Sequence, residues 1–281
     1  MGSMDMGLGR FTVSTKSQAQ IAVKKSIDYA STKNLASSNT NLVSNLADWR
    51  NTITISADDD ADQNHFGNAE SIANFVFNTF PIINVDKIYL DAFKKVSTSQ
   101  GQRYPDATNV MNQRINKGTL IFTYMGHGGD NGWAHERFLK RTDIASWENK
   151  FNQALFYAGS CSFGVYDKTN SQSPSEEIFL KSDGGGIGVI SATRNSYGST
   201  NEFFGKVLHQ YAFEKIGNTH RTIGQIFSDA KNVSGSVNMY VLIGDPSLTL
   251  AYPIHKVLTD SINFYSIEKK SDTIRALEFV T

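Results

Sequence analysis

The strongest constraint on this chain is a set of short, predominantly apolar runs, each ending in small or polar residues. Thr119–Met125, Ala154–Ala158, Gly186–Ala192 and Met239–Ile243 read as strands buried on both faces, because none alternates apolar with polar. Thr52–Ser56 and Lys87–Leu90 are shorter β-rich runs. Segments with helical spacing lie between them: about Ser17–Lys33, Asn68–Phe80, Ala107–Ile115, Asn201–Ile216 and Arg221–Lys231. Buried strands that alternate with helices predict an α/β fold with a mostly parallel sheet covered by helices on both faces. In such sheets a site forms outside the carboxyl ends of the strands. Three of these ends hold chemistry: Gly126-His127-Gly128-Gly129, Gly159-Ser160-Cys161-Ser162 and Thr193-Arg194-Asn195.

Cys161 is the one cysteine among 281 residues, which excludes intrachain disulfides and zinc sites built on several thiolates. A lone cysteine is commonly a packed apolar side chain. Here it follows an apolar strand and sits among Gly159, Ser160 and Ser162, where a strand gives way to a loop. His127 ends the preceding strand between glycines, which let backbone N–H groups approach a ligand. Their separation of 34 positions fits one crossover between neighbouring parallel strands, which would bring imidazole and thiol to one edge. That pair is the minimum for nucleophilic acyl transfer, with the N–H groups of Gly128 and Cys161 as candidate oxyanion donors. Trp133 and His135 are expected to wall the site, and the polar stretch Asp167–Ser175 to form a flap beside the cysteine.

Other features point elsewhere or nowhere. Asp58, Asp60 and Asp62 have the spacing of a calcium loop, but Gln63 stands where that loop needs glycine and Ala69 where it needs glutamate. Calcium stays a possibility, and no other metal or cofactor is expected. Gly184-Gly185-Gly186-Ile187-Gly188 precedes a strand and opens no helix, so it is no dinucleotide loop. Lys+Arg and Asp+Glu number 27 each, so no net positive field exists to hold nucleic acid. Residues 1–8 read as an expression-tag remnant, 9–254 as the α/β domain, and 255–281 as a β-type tail.

Longer strings add a resemblance. Gly126-His127-Gly128-Gly129-Asp130-Asn131-Gly132-Trp133-Ala134-His135-Glu136-Arg137, Gln102-Arg103-Tyr104-Pro105, Arg114-Ile115-Asn116-Lys117-Gly118 and Gly244-Asp245-Pro246-Ser247-Leu248 resemble the gingipain family of caspase-like cysteine peptidases. Within it they resemble the PorU-type surface sortases of type IX secretion. The resemblance implies a caspase-like fold with His127 as acid/base and Cys161 as nucleophile. An upstream acidic residue would orient the histidine, with Asp60, Asp62 and Glu70 as candidates. The Gly159–Gly164 string departs from the pattern associated with those sortases. The resemblance also implies that 255–281 is a linker and the start of an immunoglobulin-like β domain. The implied activity is removal of the C-terminal signal domain of secreted cargo and joining of the cargo's new carboxyl end to anionic lipopolysaccharide, beside an outer-membrane partner such as PorV. The implied place is the cell surface, at the outer membrane. A hydrolytic gingipain-like protease and a non-catalytic cargo-binding scaffold are the alternatives.

Overall fold

The computed structural model describes residues 3–32, 48–59, 64–235, 237–253, 261–262 and 265–266. Two units emerge, Met1–Ala251 and Tyr252–Thr281. In the second, Ser261–Ile262 pairs antiparallel with Tyr265–Ser266.

The first unit is built on six strands: β1 (Thr52–Ala57), β2 (Asn84–Tyr89), β3 (Ile121–Met125), β4 (Ala154–Gly159), β5 (Gly186–Ala192) and β6 (Tyr240–Gly244). Their order across the sheet is β6-β5-β4-β3-β1-β2. All pairs are parallel except β6 with β5. The helices are α1 (Lys16–Thr32), α2 (Asn64–Thr79), α3 (Pro105–Lys117), α4 (Arg141–Ser146), α5 (Pro174–Leu180), α6 (Gly198–Phe213) and α7 (Ile223–Ser234). Among the described residues, no helix is long and apolar enough to cross a membrane.

Strand alternation distributes the core between two helical layers. Phe122, Tyr124, Phe156 and Ala158 join Met111, Ile115, Trp133, Phe138, Trp147 and Ile178 on one face. Tyr157 and Thr123 point the other way: Tyr157 meets Phe204 of α6 edge-on, and Thr123 meets His209 of α6. Burial pushes His209 down to about 4, so it is a neutral packing residue. Local chemistry sets the helix ends. Pro105 opens α3, and Gly118 at φ 103° closes it. Ser173 and Glu176 form a capping box at the start of α5, and Thr222 and Gln225 do the same for α7.

Two expectations shift. The helix expected at Asn68 begins four residues earlier, at Asn64, because Gly67, a poor helix former, separates Phe66 from the rest of the apolar pattern. The last helical periods stop at Phe213, and Lys215–Ile216 pairs with Thr219–His220 as a small hairpin around Gly217, whose φ is 61°.

Helix α1 is anchored by Lys25, whose buried Nζ donates to the carbonyls of Gly184 (2.9 Å) and Gly186 (3.1 Å). Burial, with Lys181 adding repulsion, pushes its ammonium down to about 7. The folded value lies below the unfolded one, so the folding penalty is full below about pH 7 and gone above about pH 10.5. Relative to Lys25→Met, the native chain should therefore gain about 3–5 kcal/mol between those limits. Calorimetric melts of both chains at pH 6.5, 8 and 10 check this, and a pH-independent difference would exclude it.

Candidate active site

Register brings the candidate groups together. Met125 of β3 lies opposite Gly159 of β4 and Ala57 of β1. His127 and Cys161 are each two residues beyond their paired positions, and Asp58 is one beyond its own. Main-chain bonds extend both pairings past the strands: Asp58 N–H donates to Met125 O (2.9 Å) and Gly126 N–H to Gly159 O (3.3 Å). Carboxylate, imidazole and thiol thus stand on three successive strand ends.

The β3 end is tightly constrained. A Cβ on Gly126 would lie 2.4 Å from Asp58 Cβ and 2.4 Å from the Tyr124 hydroxyl oxygen. The Tyr124 hydroxyl donates to His127 O (2.8 Å), and Ala134 N–H donates to the same carbonyl (2.9 Å). His127 N–H in turn donates to Asp58 Oδ2 (3.0 Å). The backbone of His127 is therefore held at both polar groups while its ring is exposed. That ring meets His65 edge-on, with centroids 4.9 Å apart, and His135 at 4.8 Å. Asp58 is 1 % exposed. Burial pushes its carboxyl up to about 7; the His127 N–H pulls it down, while Glu136 and Asp59 raise it.

The candidate oxyanion donors follow from backbone pairing. Residues 128–129 and 132–133 form an antiparallel hairpin in which Gly128 faces Trp133. The Ala134 N–H to His127 O bond makes 127/134 a hydrogen-bonded pair, so 128/133 is a non-bonded pair and the Gly128 N–H points off the ladder. A Cβ on Gly128 would come 2.5 Å from Ser160 Oγ and 3.2 Å from Cys161 O, so this backbone lies directly against the cysteine loop. Among the described residues, the Cys161 N–H makes no hydrogen bond. The loop then turns through Ser162 at φ 48°, whose N–H donates to Arg194 O (3.1 Å).

The half-buried thiol is gripped by the segment after β5. Cys161 Sγ lies 3.4 Å from both the carbonyl and the N–H of Ser196, and 4.0 Å from its Oγ. Asn201 at the start of α6 donates to Ser196 Oγ (3.0 Å) and accepts from Tyr240 through Oδ1 (2.8 Å). Among the described residues, no hydrogen bond joins the thiol to the His127 ring. Such bonds commonly tighten only when substrate arrives.

Several expected positions change. Trp133 is fully buried and lines no open wall; its ring stacks 4.4 Å from Tyr124, from below the site. Its size and apolar surface win over its place in a loop. Glu70 is committed elsewhere, accepting from Lys87 (2.7 and 2.8 Å) and Tyr89 (2.9 Å). Asp60 and Asp62 lie outside the described residues. The acidic group that reaches His127 is Asp58, which sequence reasoning placed only in a calcium-like loop; its position directly after a β-rich run was the available signal. His65 and Ser196 were not singled out. The 167–175 stretch is pinned rather than free. Asp167 binds Arg194 (2.5 and 3.2 Å), Lys168 pairs with Asp130, Arg141 donates to Gln172 O (2.7 Å), and α5 begins at Pro174. Next to Cys161, a cavity of about 500 Å³ is lined by Gly129, Asp130, Ser162, Val165, Asp167, Lys168, Thr193 and Arg194.

The Gly126 contacts yield a direct test. Gly126→Ala must push β3 away from Asp58 or displace the Tyr124 hydroxyl, and it should cost about 1–3 kcal/mol in urea unfolding. An unchanged midpoint would show that this approach has slack.

Comparisons with known proteins agree with this architecture. No curated protein matches the chain. Among solved structures, the complex of Porphyromonas gingivalis RgpB pro- and mature domains is similar at 17 % identity and TM-score 0.64, over 87 % of this chain and 56 % of that one. The Arg-specific cysteine proteinase gingipain R (RgpB) gives 16 % identity and TM-score 0.64 over the same shares. A further protease structure gives 14 % identity and TM-score 0.64, over 90 % of this chain and 57 % of that one. The chain thus spans little more than half the length of these structures, and at these identities the likeness establishes the caspase-like fold of the gingipains. The model of peptidase family C25 matches residues 1–251, and this chain belongs to that family.

Proposed function

We propose that this chain is the catalytic domain of a cysteine endopeptidase that resolves its acyl-enzyme by transfer, as PorU-type surface sortases do. The observation that supports the chemistry is the row of Asp58, His127 and Cys161 on successive strand ends, with the Gly128 and Cys161 N–H groups beside it. In this reading the Cys161 thiolate attacks the scissile carbonyl, and the two N–H groups receive the oxyanion. His127 takes the thiol proton and delivers it to the departing amine, leaving a thioester on Cys161. Asp58 is a positioning residue: it fixes the His127 main chain and presents a carboxylate to the imidazole.

The finer, transferase part of the reading rests on the strings that resemble those of the sortases. These strings sit at structural joints. The Gly126–Arg137 string builds the hairpin around His127, and Tyr104 donates to Asp59 (2.9 Å). Pro246 O and Leu248 O receive the first N–H groups of α7 (2.9 and 2.7 Å). The substrates that follow are cargo proteins with a C-terminal signal domain, and the acceptor is an amine on anionic lipopolysaccharide, at the outer-membrane surface beside a partner such as PorV. The 255–281 segment would lead into an immunoglobulin-like domain. The cavity next to Cys161 bears on side-chain choice. Its two carboxylates are already matched by Lys168 and Arg194, which favours a small or polar side chain over a lone cation.

Cys161→Ala and His127→Ala should each lower turnover of a cargo peptide by on the order of 10⁴-fold or more. The double variant should be no worse than the poorer single one, because the pair acts as a unit. Multiplying losses in the double variant would mean independent roles.

The transfer step has its own readout. Mass spectrometry of products formed with and without an amine acceptor should show an amide adduct in the first case, since a bound acceptor gains effective concentration over water. Hydrolysis product alone at every acceptor concentration would leave a plain protease.

A further inference from the structure

His65 has no part in the acyl transfer described above, yet it forms a cluster with Asp58 and His127. One carboxylate oxygen and one ring nitrogen from each histidine all lie within 4.8 Å of one another. The three come from separate elements: the end of β1, the first turn of α2 and the end of β3. Two features prepare them to bind. Asp58 is 1 % exposed, its Oδ2 is taken by the His127 N–H, and its buried Oδ1 has no hydrogen-bond partner. The His127 main chain is held at both its carbonyl and its N–H, which keeps its ring within reach of the other two. Anchoring of this kind is what orients metal ligands.

We propose that Asp58, His65 and His127 bind a transition-metal dication of the Zn²⁺ type, and that an occupied site switches the peptidase off. Two imidazoles and one carboxylate suit Zn²⁺, Co²⁺ or Ni²⁺, whereas Ca²⁺ and Mg²⁺ demand oxygen ligands. Metal–nitrogen bonds of about 2.0–2.1 Å need only a modest closing of the cluster, and a fourth position stays open to water. Asp59 and Glu136 each offer an oxygen within 4.8 Å of Asp58; Lys95 pairs with both, so together they leave one net negative charge beside the cation. The switch follows from lone pairs: a His127 ring nitrogen that donates to a metal cannot accept the thiol proton. This second half rests on the acid/base role proposed above for His127, while the binding half does not.

The test separates the two halves. Titration calorimetry with ZnCl₂ at pH 7.5 on the Cys161→Ala chain should show one equivalent bound. Adding His65→Gln or Asp58→Asn should weaken binding at least tenfold, with native melting curves recorded for each. Co²⁺ on the Cys161→Ala chain should give d–d absorption, and the native chain should show no thiolate charge-transfer band. Undiminished affinity in both added variants, or binding lost with Cys161→Ala, overturns the site. In the native chain Zn²⁺ should inhibit peptide cleavage, EDTA should restore it, and His65→Gln should raise the inhibitory midpoint at least tenfold. Binding as expected without inhibition overturns the switch. A native chain that cleaves no peptide yet binds Zn²⁺ as described counts against the peptidase reading and supports the site.

Discussion

Parallel pairing among β1, β3, β4 and β5 is the constraint on which the rest depends. Each of these strands is buried along its whole length, so a one-residue slip would turn Phe122, Tyr124 and Phe156 out of one core layer and Thr123 and Tyr157 out of the other. With slippage this costly, the residues just beyond the pairing are fixed as well. Asp58, His127, Cys161 and Ser196 inherit their mutual placement from hydrophobic packing many ångströms away. The site needs no disulfide to hold it, and the chain has none to offer.

Around that row, the structure fixes backbone more firmly than side chains. Trp133 stacks beneath Tyr124, Tyr124 holds the His127 carbonyl, and Asp58 holds the His127 N–H. The ring itself is left among imidazoles. On the other side, Tyr240 and Asn201 hold Ser196, and Ser196 holds the sulfur. Imidazole and thiol are thus each tethered to a separate part of the core. The charged loops 130 and 167–168 are cross-tied by ion pairs, so their contribution is shape rather than free charge.

Much of this was legible in the chain. Continuous apolar runs cannot satisfy one-sided burial, so they declared a parallel sheet covered on both faces. Small residues at the strand ends marked the binding edge, and 34 residues of separation predicted neighbouring strands for His127 and Cys161. Reading failed where a residue's role depends on what lies across space. Trp133 read as a wall because it sits in a glycine-rich loop, yet the hairpin folds it under Tyr124. His65 was invisible because its neighbours, Asp58 and His127, come from the ends of two strands. Asp58 was visible but assigned to the wrong neighbours, since its partners are 69 residues away along the chain.

The amino-acid sequence by itself determined the sheet, its two helical layers, the edge where chemistry gathers and the two residue types able to carry acyl transfer. These follow from local periodicity and composition, which act over a few residues. Only the tertiary structure decided which carboxylate faces the imidazole, which main-chain N–H groups are left without ladder partners, and what grips the sulfur. Those outcomes depend on strand register and close backbone approach, and register is a property of two strands together, written in neither one alone.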